Sequence, residues 1–307
     1  MNKGNTLIKI LGILFLVIGL FSFFLVPVEF TSFYSFSEGG NHHYEGFGFG
    51  SLMFTFILLN IIAYSTLAVS CILLGIGNLT LKKWGFNLSL AFFKALIIIG
   101  LTIIISFLSS FDLINTLEPY QTLIILIFFL VFLIGLPFIL IKFYQTPKNE
   151  LLFKTSASNN YFEKQSPDNL TIILLNLFWI LIFYLLLFLK GSFPFFGEFF
   201  FKREGTYFLS IAIFILFMLT YLFYQNKAYA KFGMIVYYVI LFFAFTLTFI
   251  RYTTNDFFNL LNLPAYEWKK VVPAFGIPVG INLAFFFGVL IILQIYLIFR
   301  AKIHHIS

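Results

Sequence analysis

Apolar side chains come in long unbroken blocks along this chain, separated by short polar stretches, without the strict alternation of β-strands. A block of about 18–25 apolar residues, wound as a helix, matches the ~30 Å hydrocarbon layer of a bilayer. Eight blocks read this way: Leu7–Val26, Ser51–Ile76, Leu88–Ser109, Gln121–Ile141, Leu170–Leu189, Thr206–Tyr224, Met234–Ile250 and Ile277–Phe299. In hydrocarbon each backbone N–H and C=O must be bonded within its own segment, so each block must be helical. The pattern predicts an all-α integral membrane protein with about eight transmembrane helices. The first block follows Lys3 and Lys9, as a secretory signal would. Pro27-Val28-Glu29 then stands where a small-residue cleavage site would be, so the block reads as a retained span.

Composition agrees with this picture. The chain is 61% hydrophobic and only 10% charged, against about 25% charged in a soluble domain. The net charge of +7 is explained by where the cations lie. Lys3, Lys9, Lys82, Lys83, Lys94, Lys142, Lys148, Lys154, Lys164, Lys227, Lys231, Arg300 and Lys302 fall on one side of the expected topology. Lys190, Lys202, Arg203, Arg251, Lys269 and Lys270 fall on the other, where the first two loops carry only acidic charges. Cytoplasmic loops retain Lys and Arg. The expectation is therefore a multi-pass protein of the cell (plasma) membrane, with both termini cytoplasmic, and the basic excess implies no nucleic-acid partner.

An internal duplication is the next reading. Lys83-Trp84-Gly85 lies between the second and third blocks and Lys231-Phe232-Gly233 between the sixth and seventh, 148 residues apart. Pro27-Val28-Glu29-Phe30 and Phe193-Pro194-Phe195-Phe196-Gly197-Glu198 follow the first and fifth blocks. The division expected is a four-helix membrane half at 1–144, a cytoplasmic linker at 145–169 and a second four-helix half at 170–307, two parallel repeats. Ser166-Pro167-Asp168 is a helix entry.

Little in the chain points to chemistry. Asn60, Ser65, Lys94 and Asn176 are the candidates for a polar path through the bilayer, since polar groups at membrane depth are costly and mark pathways or helix–helix hydrogen bonds. Lys94 is close enough to a block end to snorkel to the headgroups. No block as drawn contains Asp or Glu, which argues against an ion-coupled carrier. In the first outer loop His42, His43 and Glu45 form a weak metal-binding set, but adjacent histidines do not share a helix face and no HExxH spacing is present. The glycines and aromatics around them suggest an irregular or hairpin-like cap. Asn255–Leu263 reads as a short amphipathic helix in the interface. The single cysteine, Cys71, excludes an intrachain disulfide. No cofactor is implied.

The loop from Glu38-Gly39-Gly40 through Tyr44-Glu45-Gly46-Phe47-Gly48, the Leu81-Lys82-Lys83-Trp84 turn and Lys142-Phe143-Tyr144 resemble stretches in an uncharacterised family of multi-pass bacterial inner-membrane proteins. That resemblance implies a fold and no activity. The function expected is a non-catalytic accessory, scaffold or sensor, with the lipid bilayer as its partner and another membrane protein as a further candidate. The alternatives are a transporter or channel for a small neutral or lipidic substrate, and a membrane enzyme using the first outer loop.

Overall fold

The computed structural model describes residues 3–42, 46–109, 119–153, 165–263, 267, 269 and 283–301. Seven helices among them are long and apolar enough to cross a membrane. The protein is an all-α, multi-pass membrane protein. The helices are α1 (Lys3–Phe36), α2 (Leu52–Leu79), α3 (Lys83–Leu108), α4 (Pro119–Phe129), which passes through a π-helical segment (Leu130–Gly135) into α5 (Leu136–Tyr144), and a single turn, α6 (Pro147–Glu150). After these come α7 (Pro167–Phe188), the hairpin strands β1 (Phe193–Phe195) and β2 (Glu198–Phe200), α8 (Lys202–Tyr224), α9 (Ala228–Arg251), the short α10 (Thr254–Leu260) and α11 (Ala284–Arg300). The last is apolar but has 17 residues, and the expected eighth span begins at 277–282, outside the described residues.

Each long helix packs against its successor, α1 on α2, α2 on α3, α3 on α4–α5, and again α7 on α8, α8 on α9, α9 on α11. One hydrophobic core lies within the N-terminal group, around Ile8, Phe86, Leu90, Phe93, Ile141, Tyr144 and Phe153. A larger core fills the C-terminal group around Trp179, Phe183, Tyr238, Phe245 and Phe287, and Leu52 and Ala95 of the N-terminal group join it. The seam between the groups is made by α3 against α7 and α11, and by α2 against α7.

The glycines explain the closest approaches. A Cβ on Gly85 would lie 2.5 Å from the Cα of Gly77, so α2 and α3 touch backbone to backbone. Gly12 of α1 fits against Gly75 and Leu79 of α2. Small residues serve this purpose in lipid, where helix association depends on van der Waals fit. The π segment has a local cause. Pro137 has no N–H for the carbonyl four residues back, and its ring clashes there. That carbonyl, Leu133 O, turns towards Gly100 of α3, where a Cβ would lie 3.2 Å from it.

Several loop expectations change. The helix α1 does not end at Val26 but continues through Pro27 to Phe36, about 50 Å at 1.5 Å per residue. Glu29 is therefore helical rather than in a loop, Asp168 lies in the first turn of α7 and Glu204 in the first turn of α8. The helices carry carboxylates, at or near their ends. The described residues of the loop between α1 and α2 form turns, and the hairpin lies instead at 193–200. Helix α10 has the expected place but its Phe257 and Phe258 are buried, so it packs onto the C-terminal core; the Phe199 and Phe257 rings are 4.9 Å apart.

Candidate functional site

The four polar candidates have separate surroundings. Asn60 Nδ2 donates to Glu29 Oε1 at 3.1 Å, joining α2 to α1. Lys94 Nζ donates to Asp168 Oδ1 at 2.6 Å, with both side chains partly exposed. It is thus a lysine paired across the seam, from α3 to the first turn of α7, where the helix N-terminus also favours the carboxylate. Asn176 is fully buried within the C-terminal group. Ser65 lines a cavity.

Asn176 belongs to a polar network to which four helices contribute. Its Oδ1 accepts from Tyr238 Oη at 2.7 Å and from Gln294 Nε2 at 2.5 Å. Its Nδ2 donates to Thr220 Oγ1 at 2.8 Å. Gln294 Oε1 in turn accepts from Trp179 Nε1 at 2.9 Å. Buried polar groups in an apolar medium must be paired, and here α7, α8, α9 and α11 satisfy one another. This is a register lock for a helical bundle. A smaller counterpart sits in the N-terminal group, where Asn78 Oδ1 accepts from Tyr144 Oη at 3.0 Å and its Nδ2 donates to Ser89 Oγ at 3.1 Å.

At the end of the bundle opposite the Lys82–Lys83 turn, three connecting segments meet. Ser51 Oγ and Leu52 N donate to the buried Glu267 carboxylate at 2.8 and 3.0 Å. A negative group on the first N–H groups of α2 is favoured by the helix dipole. Lys190, held with φ 56° just past the end of α7, donates from Nζ to Leu261 O and Asn262 O at the C-terminus of α10. Each charge faces a helix end of opposite sign, and both contacts tie one loop to another.

Of the weak metal set, His43 and Glu45 lie outside the described residues. His42 Nδ1 meets Ser35 Oγ at 3.1 Å and its N–H donates to Ser35 O, which closes the end of α1. Among the described residues no three His, Cys, Asp or Glu side chains converge. Cys71 is buried in α2.

The feature best suited to holding a ligand is a cavity of about 560 Å³ in the seam. Ser65, Thr66, Val69, Ser70, Leu73 and Leu74 of α2 form one wall, with Leu88 and Phe92 of α3; α7 forms the other, from Leu170 through Ile173, Leu174 and Leu177 to Tyr184. Tyr224 of α8 stands at the lysine-rich end. Val69 is 60% and Leu177 42% exposed, so the cavity opens sideways along the bundle rather than through it. From Leu170 to Tyr184 it runs about 21 Å along α7. The hydroxyls lend little polarity, since Thr66 Oγ1 already donates to Ile62 O at 2.8 Å. Sequence reasoning had picked out Ser65 but not the groove, because the remaining lining is ordinary Leu, Ile and Phe whose placement only the packing of α2 on α7 decides.

Comparison with known protein families, with curated proteins and with solved structures finds no match for this chain.

Proposed function

We propose that this is a non-catalytic, eight-span membrane protein that binds the hydrocarbon chain of a lipidic ligand in the groove between α2 and α7, acting as an accessory or sensor component. The groove carries the reading. It lies among lipid-exposed helices, its wall is almost wholly aliphatic and aromatic, and its 560 Å³ falls within the ~300–1,000 Å³ of small-molecule sites. A lipid chain is slender enough to lie in it. The dispersal of Asn60, Lys94 and Asn176 into separate contacts supports binding rather than conduction of a polar solute.

Two parallel halves with both termini cytoplasmic remain the best account of the architecture. Their support is local. Leu81 (φ 51°) and Asn226 (φ 59°) end α2 and α8 in the same left-handed turn. In each, the next lysine donates its N–H five residues back in the Schellman pattern, Lys82 to Gly77 O and Lys227 to Leu222 O. These turns are 145 residues apart, so Gly85 corresponds to the small, buried Ala230 and the Lys-aromatic-Gly matches are offset by three. Resemblance to multi-pass inner-membrane proteins of bacteria agrees with this arrangement.

Topology is testable by thiol labelling in a Cys71→Ser background. Gly48→Cys, where a Cβ meets open space, should react with an impermeant maleimide from outside intact cells. Lys148→Cys should react only after lysis. Ligand binding is testable with a lipid carrying a photoreactive group in its tail: crosslinks should map to Ile173–Tyr184 and the facing wall of α2, and crosslinks scattered evenly over all helices would sink the groove reading.

A further inference from the structure

We infer that the groove selects an anionic phospholipid, its phosphate held between Lys82 and Lys227; this rests on the groove reading above and names its ligand class. Lys82 is the N-cap of α3, six residues before Leu88 in one wall, and Lys227 is the N-cap of α9, three residues after Tyr224 at the groove's end. Both side chains are exposed, and neither makes a capping bond. Among the described residues neither is in an ion pair. The carboxylates nearby are already engaged, Glu150 with Lys83 and Asp168 with Lys94. Lys231 is spent on Phe299 O and Ala301 O. Lys82 and Lys227 are thus two exposed ammonium groups in no ion pair among the described residues, one just ahead of the α3 wall and one just past Tyr224 at the groove's end, projected by the same turn motif in two places.

The groove's length of about 21 Å from Leu170 to Tyr184 exceeds the ~15 Å of one leaflet, so it can take a whole acyl chain along α7 from a headgroup at the lysine-rich surface. A lysine near an anionic headgroup contributes about fivefold in binding.

The test uses the full chain reconstituted in phosphatidylcholine vesicles, with tail-diazirine phosphatidylglycerol or phosphatidylcholine as the probe. Wild type should be labelled in the groove by the anionic probe roughly tenfold or more over the zwitterionic one. Lys82→Gln/Lys227→Gln should reduce that ratio to near one while groove labelling by phosphatidylcholine persists, which also shows the variant folded. Leu177→Trp should suppress labelling by both probes. Equal labelling of wild type by the two lipids, or a preference that survives the double substitution, overturns the headgroup assignment and leaves the groove standing. Failure of both probes to label the groove in wild type removes the groove itself. Added inorganic phosphate at matched ionic strength should leave the ratio unchanged; if it abolishes the preference, the site serves free phosphate and the lipid assignment fails.

Discussion

Ser51 and Glu267, 216 residues apart, are joined by a 2.8 Å hydrogen bond from hydroxyl to carboxylate at the start of α2. The same carboxylate accepts from Leu52 N, so one acidic side chain from the segment between α10 and α11 caps α2. Replacing Glu267 with Ala strands a buried N–H and a buried hydroxyl. The expected cost is about 1–3 kcal/mol, read as a lower melting temperature in detergent. Ser51→Ala, which also loses the N-cap bond to Phe54 N, should cost about 0.5–2 kcal/mol. If both variants melt with wild type, the cap contributes nothing and the two segments are held together by packing alone.

The Asn176 network predicts strong coupling. A typical interhelical hydrogen bond in a membrane protein contributes only about 0.6 kcal/mol, because a lone polar group finds another partner. Here the partners share atoms: Asn176 Oδ1 serves both Tyr238 and Gln294, and Gln294 also holds Trp179. Asn176→Ala and Gln294→Ala should therefore be non-additive, with a coupling energy of about 0.5–3 kcal/mol in a double-mutant cycle of unfolding. Additive effects would show that the bonds act independently.

How much of this was legible in the sequence follows from what each feature depends on. The spans were visible because lipid imposes length and polarity on every segment separately. Asn176 and Gln294 were visible as polar residues in apolar blocks, but their meeting depends on how four helices rotate about their axes, which no local pattern records. The end of α1 was misplaced because Pro27 reads as a terminator; within the helix it removes only the N–H that would bond the carbonyl of Phe23, and the helix proceeds to Phe36. The hairpin was hidden for another reason. Its two-residue loop, Phe196-Gly197, has positive φ at both positions (46° and 98°), as in a type I′ turn. The usual signal is Asn-Gly, and a phenylalanine in the left-handed region gives no warning. The exposed Phe196 ring lies edge-on to that of Phe195, 4.8 Å away.

Two glycines at the lysine-rich turns should differ in their tolerance. A Cβ at Gly85 meets backbone, the Gly77 Cα at 2.5 Å, which cannot yield without separating α2 from α3. A Cβ at Gly233 meets the Leu219 Cδ2 tip at 2.7 Å, which can change rotamer. Gly85→Ala should destabilise by about 1–3 kcal/mol, as overpacking does, while Gly233→Ala should be near neutral, a gain in helix propensity offsetting the contact. Thermal unfolding of the two variants side by side decides it: equal losses would mean the α2–α3 contact is looser than its geometry.

Helix α10 should respond to acid through Asp256. Thr253 and Asp256 form a capping box, in which Asp256 Oδ2 accepts from Thr253 N at 2.9 Å and from Thr253 Oγ1 at 2.7 Å. These bonds favour the carboxylate and lower its pKa from the ordinary 3.8. A depressed folded-state pKa contributes stability that is present above the unfolded value and is lost as pH falls through the folded one. Protection of the α10 amides against hydrogen exchange, corrected for intrinsic rates, should hold flat from pH 7 to about 4 and decline below that. Asp256→Asn keeps the shape but weakens the acceptor, so its protection should be lower at neutral pH and should lack the acid-dependent step. A wild-type profile that falls already between pH 7 and 5 would assign the transition to a group other than this carboxylate.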